Sequence, residues 1–243
     1  MNDRINLIIK HQPSTEGSDV VTDFDWVAGA DALLLNPIDC GPEDAPADMF
    51  SQFILQSDSP ERDQCWQEIG ACQWVCSEGL EQAARMRDDW PGLDWIPFLK
   101  VYRPELSYRF SGRAVGEGFS FYIPDTSVIK GWKVTDEDRN LPDALSLARE
   151  LGFSQVWLHS LNAEEKGQGL DLEMLENATH KTPEIWVSGG LTEVRHLSNL
   201  AKWGGASSVI VDQAFAESNG IEPMRLALIS ETVNQVAPEL NFG

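Results

Sequence analysis

Short, continuously apolar runs alternate with amphipathic helical patterns along the chain, and this alternation limits the folds that it can adopt. Runs such as Leu33-Leu34-Leu35 have no polar face, so a strand built from them needs apolar cover on both sides, as in a parallel sheet flanked by helices. The segment Met49–Gln56 reads as either a helix or a further strand. The predicted strands are Ile5–Lys10, Ala32–Pro37, Gln73–Ser77, Trp95–Val101, Phe119–Ile123, Gln155–His159, Glu184–Ser188 and Ser208–Asp212.

Helical patterns fill the spaces between the strands of the second half. They cover Asp143–Leu151, Leu170–Asn177 and Thr192–Trp203, where Thr192 is a candidate N-cap. Eight strands with intervening helices in about 250 residues predict one closed (β/α)8 barrel, a TIM barrel, as a single domain over residues 1–243. An open doubly wound sheet is the alternative, although the early G-x-G-x-x-G motif of its dinucleotide-binding version is missing.

The chain is strongly acidic, with 39 acidic and 18 basic residues and a formal net charge of -21. Such a surface repels phosphate backbones and anionic lipid headgroups, so we expect no nucleic-acid or membrane partner. It also repels a small anionic substrate unless the binding site reverses the field locally. Without a signal-peptide pattern or a long apolar run, we expect a cytoplasmic protein whose cysteines are reduced. The sequence leaves homo-oligomerisation open.

The segment Ile185–Glu193 is the strongest local motif. It reads as a buried strand, the turn Ser188-Gly189-Gly190 and the start of a helix. Glycines let the backbone approach a ligand closely, and amides at a helix N-terminus suit a phosphate. In (β/α)8 barrels the loops after the last two strands commonly bind phosphate. Alternatively, this turn needs glycine only for its backbone conformation.

Residues 131–220 contain six pieces of sequence in a characteristic order. They are Gly131-Trp132 after strand five, Ala144–Gly152, Trp157–Ser160, Gly169–Leu175, Ser188–Gly190 and Ser207–Val211. In this order they resemble the C-terminal half of the histidine-biosynthesis barrels, namely phosphoribosylformimino-aminoimidazole carboxamide ribotide (ProFAR) isomerase and the cyclase subunit of imidazole glycerol phosphate synthase. The resemblance implies a ribulose-phosphate-binding barrel with phosphate on Ser188, Gly189 and Gly190. Asp212 and Gln213 stand in the second phosphate loop, where the family has a glycine.

The chain departs from that family at the residues that carry the isomerase reaction. The family uses an acid–base pair of aspartates at the ends of strands one and five, whereas strand one ends here in Lys10-His11. The strand-five position falls at Phe121, with Asp125 close by, and the phosphate loop after strand three is reduced to Ser77-Glu78-Gly79. We therefore expect that the ancestral isomerase activity is lost.

Polar side chains at the predicted strand ends would converge on the C-terminal mouth of a barrel, where such enzymes place their active sites. Lys100 is a candidate amine nucleophile for Schiff-base chemistry, unless it points outward between helices. Asp125 and His159 are candidate acid–base groups, with a turn residue and a structural histidine as the alternatives. The spacings give no direct support for a metal site, and we predict no cofactor. The strand-end set is Lys10, His11, Asn36, Asp39, Lys100, Arg103, Asp125 and His159.

These observations predict an isomerase or lyase that acts on a small phosphorylated metabolite of sugar-like or heterocyclic type. Asp125, Lys100 and His159 are the predicted reacting groups. Two alternatives stay open: a catalytically inactive barrel that serves as a binding or regulatory subunit, and a Schiff-base lyase centred on Lys100.

Overall fold

The computed structural model describes residues 4–11, 27–37, 53–57, 60, 65–66, 73–104, 108–113, 120–124, 131–135, 139–179 and 183–229. Its strands are β1 (Asn6–Lys10), β2 (Ala32–Leu35), β3 (Phe53–Gln56), β4 (Gln73–Cys76), β5 (Asp94–Tyr102), β6 (Tyr108–Arg113), β7 (Ser120–Pro124), β8 (Lys133–Val134), β9 (Arg139–Asn140), β10 (Gln155–Ser160), β11 (Glu184–Ser188) and β12 (Ser208–Asp212). The helices with described bounds are α1 (Leu80–Asp89), α2 (Leu141–Glu150), α3 (Leu161–Lys166), α4 (Leu172–Thr179), α5 (Arg195–Trp203), α6 (Gln213–Asn219) and α7 (Ile221–Leu228).

Eight of the strands form a closed, all-parallel barrel. Around the ring the order is β10, β11, β12, β1, β2, β3, β4 and β5, and β5 pairs with β10 to close it. Helices flank the ring: α1 packs against β5 and α2, and α5 packs against α7. This confirms the predicted (β/α)8 architecture and rules out the open doubly wound sheet.

The interior of the barrel is filled by apolar side chains rather than by a channel. Alternate residues of each strand face inward, and with the observed registers the inward side chains fall into layers of four from every second strand. One layer holds Ile8, Ile54, Ile96 and Trp186, and the next layer toward the carboxyl ends holds Leu34, Val75, Trp157 and Ile210. Two tryptophans therefore close the barrel below any site at its mouth.

The membership of the barrel differs from the prediction in one strand. β3, inside the segment left open between helix and strand, is the third barrel strand, since Leu34 pairs with Ile54 and Ile54 with Gln73. The predicted strand Phe119–Ile123 falls mainly in β7, which pairs antiparallel with β6 outside the barrel. Both runs are short and apolar, so local pattern could not choose between them.

Because β3 belongs to the barrel and β7 does not, the first five barrel strands are numbered differently from the prediction. The fifth barrel strand is β5, so Gly131-Trp132 follows the β6–β7 hairpin instead of a barrel strand. Ser77-Glu78-Gly79 follows the fourth barrel strand and not the third. β8 pairs antiparallel with the last residues of β5 at Val101 and Tyr102, which extends that strand beyond the ring.

Asp31, just before β2, ties three parts of the chain together at the amino-terminal end of the barrel. Its Oδ2 accepts a hydrogen bond of 2.8 Å from the backbone N–H of Leu7 in β1. Its Oδ1 accepts from Arg225 Nη2 of α7 at 2.7 Å and from Arg4 Nη2 at 2.8 Å. A single carboxylate therefore joins β1, β2 and the last described helix.

Replacing Asp31 by alanine should lower the free energy of unfolding by about 2 kcal/mol, because it removes charge-assisted bonds at a partly exposed site. Asp88 is the matched control: it is largely exposed and pairs only at 3.5 Å with Arg87. Asp88→Ala should change the stability by less than about 0.5 kcal/mol. Urea denaturation measures both, and equal losses in the two variants would contradict the role given to Asp31.

Cys65, which is exposed, and Cys76, which is buried, are not part of a disulfide, as expected for these two positions. None of the described helices combines the length and the apolar character needed to cross a lipid bilayer.

Candidate active site

The carboxyl ends of the eight barrel strands carry a ring of polar side chains. Each lies two positions after an inward apolar residue, as Lys100 follows Phe98, and side chains two apart in a strand share a face. Gln56 Nε2 donates a hydrogen bond of 2.9 Å to Ser77 Oγ, which joins two members of the ring. The ring, here named the mouth ring, consists of Lys10, Asn36, Gln56, Ser77, Lys100, His159, Ser188 and Asp212.

Lys10 and Lys100 stand on opposite sides of the mouth, because β1 and β5 are four strands apart in either direction around the barrel. Lys10 shares a layer with Phe98 and Ser188, and its Nζ lies 5.8 Å from the centroid of the Trp157 ring. Lys100 stands two layers higher and is exposed. Its side chain makes no hydrogen bond or ion pair with any residue that the structure describes.

The alternative that Lys100 points outward between helices is wrong, because it shares the inward face of Phe98. Lys100 also takes the inward position at the end of the fifth barrel strand, which the resemblance had assigned to Phe121 and Asp125. Asp125 itself lies outside the described residues. A lysine therefore takes the inward position near the carboxyl end of both the first and the fifth barrel strand.

His159 is held between a serine and a glutamate. Its Nδ1 lies 2.8 Å from Ser188 Oγ, and its Nε2 lies 2.9 Å from Glu164 Oε2. Trp157 Nε1 donates to the same Ser188 Oγ at 2.7 Å. These contacts exist because His159 and Ser188 are register partners on neighbouring strands, while α3 starts directly after β10 and brings Glu164 back over the histidine.

The glycine turn after β11 packs tightly against the loops that follow β10. Gly189 and Gly190 have φ of +98° and +85°, a backbone region that favours glycine. A Cβ on Gly190 would lie 2.4 Å from the carbonyl oxygen of Gly169 and 2.6 Å from that of Ala163. The Gly169 N–H also donates to the Gly190 carbonyl at 2.9 Å. Backbone conformation and packing thus account for these glycines, and phosphate binding by Ser188, Gly189 and Gly190 stays a prediction.

His196 occupies the amides at the start of the helix that follows this turn. Its Nδ1 accepts from the backbone N–H groups of Thr192 and Glu193, each at 3.3 Å. Thr192 is not the N-cap, because α5 begins at Arg195 and Thr192 Oγ1 donates to the Gly167 carbonyl. Sequence reasoning missed His196, although its spacing of four from a buried leucine, Leu200, places it on the buried face of α5.

The other predicted residues near β1 and β12 divide between two faces. His11, which follows β1, is buried on the outside of the barrel. Its Nδ1 is 2.8 Å from Gln213 Oε1 at the start of α6. Asp212 belongs to the mouth ring and is the register partner of Lys10. The structure therefore brings Asp212 to the mouth, while His11 and Gln213 join β1 to α6.

Arg103, predicted at the mouth, is engaged on the outer rim. Its Nη1 forms an ion pair of 2.8 Å with Glu173 Oε2, and its guanidinium lies 4.8 Å from the centroid of the Trp132 ring. Trp132 Nε1 and Ser160 Oγ both donate to Asp171 Oδ2, at 2.9 and 3.0 Å. This cluster connects β5, β10 and α4 and holds Arg103 away from the centre of the mouth.

A surface pocket lined by Trp132, Asn140, Asp143 and Asn177 contains none of the mouth ring. Among the described residues, no group of three or more histidine, cysteine, aspartate or glutamate side chains could hold a metal ion. No protein-family model matches the chain, and a comparison with curated proteins finds no match either.

Proposed function

We propose that this chain is an isomerase or lyase that binds a small anionic metabolite, of the phosphorylated sugar-like or heterocyclic class, at the barrel mouth. The observation that supports it is the pair of inward lysines, Lys10 and Lys100, at the ends of opposite strands. The whole chain has only seven lysines, and two of them lie in the mouth ring. Barrel enzymes hold their substrates at this end of the strands.

The lysines place positive charge where a substrate would bind. The chain carries a net charge of -21, yet the mouth ring holds two ammonium groups and one carboxylate, Asp212. An ammonium and a phosphate oxygen at 4 Å attract each other by about 4 kcal/mol at an effective dielectric constant of 20. A substrate anion that contacts Lys10 or Lys100 would therefore gain an attraction that offsets part of the repulsion from the acidic surface.

From the resemblance to the histidine-biosynthesis barrels, we propose that the chain is a divergent relative of that family in which these lysines have replaced the aspartates. Ammonium groups replace carboxylates at the ends of strands one and five, so the aspartate acid–base pair of that family has no counterpart here. The proton-transferring group that we propose instead is His159, which lies in the mouth ring beside Ser188.

A Schiff-base lyase is a second candidate, favoured by the exposed Lys100 side chain without an ion pair to the described residues. In that reaction Lys100 Nζ forms a carbon–nitrogen double bond with a substrate carbonyl and water leaves. The resulting iminium then accepts the electron pair of the carbon–carbon bond that breaks.

Thermal unfolding in the presence of matched compounds tests the proposed function. Ribose 5-phosphate should stabilise the chain, by about 2.7 kcal/mol at a hundred times its Kd, which corresponds to roughly 5–10 °C in Tm. Ribose should have no effect, and added salt should weaken the effect of the phosphate ester. If a panel of sugar and heterocycle phosphates stabilises the chain no better than inorganic phosphate, the proposal is wrong and the inactive binding barrel is favoured.

A further inference from the structure

We infer that Ser188, His159 and Glu164 form a nucleophile–base–carboxylate chain, and that Ser188 attacks the acyl carbon of a small ester at the barrel mouth. The distances are 2.8 Å from Ser188 Oγ to His159 Nδ1 and 2.9 Å from His159 Nε2 to Glu164 Oε2. A serine, a histidine and an acid in hydrogen-bond contact are the arrangement that activates a hydroxyl. Esterase activity goes beyond the proposed isomerase or lyase chemistry and does not depend on it.

With Glu164 ionised and His159 neutral, as the proposed reaction requires, the hydrogen bonds fit one arrangement of protons. An ionised Glu164 only accepts, so His159 Nε2 carries the hydrogen of the neutral ring. His159 Nδ1 is then an acceptor, and the Ser188 hydroxyl must donate to it. Trp157 Nε1 is a donor only, and it donates to Ser188 Oγ at 2.7 Å. The serine proton thus points at the base, as deprotonation by His159 requires.

The three groups differ in burial, and Ser188 is the most buried of them, with 6% of the residue exposed. The His159 side chain is 16% exposed, whereas the Glu164 side chain is 59% exposed. The base is therefore shielded from competing water, while its carboxylate partner remains at the surface. Ser188 lies in the same interior layer as Lys10, whose ammonium adds positive charge to that layer of the barrel.

The reaction balances with an ester and water as the only reactants. Ser188 Oγ forms a bond to the acyl carbon while its proton passes to His159 Nδ1, and Glu164 stabilises the imidazolium. The tetrahedral intermediate expels the alkoxide, which takes the proton from Nδ1 and leaves as the alcohol. Water then attacks the acyl-serine, gives its proton to Nδ1, and the acid leaves as Ser188 Oγ regains that proton.

Covalent labelling with an uncharged alkyl fluorophosphonate tests the inference, because the serine oxygen displaces fluoride and keeps the phosphorus. Mass spectrometry of the full-length chain should show one adduct, and peptide mapping should locate it on Ser188. Ser188→Ala should abolish the adduct, while Ser218→Ala, at an exposed serine of α6, should label like the wild type. His159→Gln should slow labelling at least about 100-fold, the usual contribution of a general base.

Glu164 and Glu165 provide a matched pair of variants, because neither side chain belongs to the hydrophobic core. Glu164→Gln should slow labelling at least about tenfold, whereas Glu165→Gln, one residue further along α3, should not change it. Ser188→Ala leaves the Trp157 N–H without its hydrogen-bond acceptor and could fail to fold. The comparison of the two glutamates remains valid in that case, because both side chains are exposed. Equal rates for the two glutamine variants, an adduct on another residue, or no adduct on the wild type would overturn the inference. Since the probe carries no negative charge, labelling is independent of anion binding, and the two proposals can fail separately.

Discussion

Replacing Gly190 by alanine is expected to destabilise the folded chain by roughly 2–5 kcal/mol, one of the largest effects that the structure implies. A left-handed backbone, here with φ of +85°, costs an alanine about 1–2 kcal/mol. The added Cβ would also lie 2.4 Å from the Gly169 oxygen and 2.6 Å from the Ala163 oxygen. Both atoms belong to the backbone, so neither can rotate away, and the loops after β10 would have to move.

Gly204→Ala is the control, since Gly204 also has a positive φ, +74°, but a Cβ there would meet nothing within 4 Å. It should lose only the conformational part, about 1–3 kcal/mol for a backbone with ψ of -162°. Chemical denaturation of the two variants, with equal m-values, measures the difference between them. A smaller loss for Gly190→Ala than for Gly204→Ala would show that the turn does not pack on the loops after β10.

Removing both mouth lysines is expected to weaken the binding of ribose 5-phosphate by a factor between about 100 and 20,000. Each ammonium contributes a charge-assisted hydrogen bond, for which about 1.5–3 kcal/mol is typical, so Lys10→Met and Lys100→Met should each weaken binding roughly 10- to 150-fold. Methionine keeps most of the length of the lysine stem and removes the ammonium, which at Lys10 lies 5.8 Å from the centroid of the Trp157 ring. Isothermal titration calorimetry gives the three affinities.

Lys202→Met removes one positive charge from an exposed site at the end of α5 and should leave the affinity unchanged. Borohydride treatment in the presence of a carbonyl substrate separates the two roles of Lys100. An adduct on Lys100 that is absent from Lys100→Met assigns it to Schiff-base formation, whereas weaker binding without an adduct assigns it to anion binding. Unchanged affinity in the double variant would refute the lysine-based site.

Much of the fold could be predicted because the barrel strands are locally encoded. Runs such as Val209-Ile210-Val211 are apolar on both faces, which is what a parallel strand under helices requires. The sequence pattern could not decide whether Phe53-Ile54-Leu55 or Phe121-Tyr122-Ile123 forms a barrel strand. Both are short apolar runs with aromatic starts, and only pairing with β2 and β4, distant along the chain, selected the first.

The candidate site was predictable in part for the same reason. Strand ends predicted Lys10, Lys100 and His159 at the mouth, and the period of two in a strand places all three on the inward face. The partners of His159 were not predictable as a set, because Ser188 comes from the next strand and Glu164 from the following helix. The contact of His196 with the amides of Thr192 and Glu193 is local, and the spacing of His196 from Leu200 was the signal that could have found it.

The sequence by itself determined the parallel (β/α)8 architecture and the polar residues at its strand ends, because apolar periodicity and strand alternation act over a few residues. The tertiary structure alone decided which run became the third strand, that lysines face each other across the mouth, and that a serine, a histidine and a glutamate meet there. These arrangements depend on strand register and on ring closure between β5 and β10, which join residues far apart in the chain.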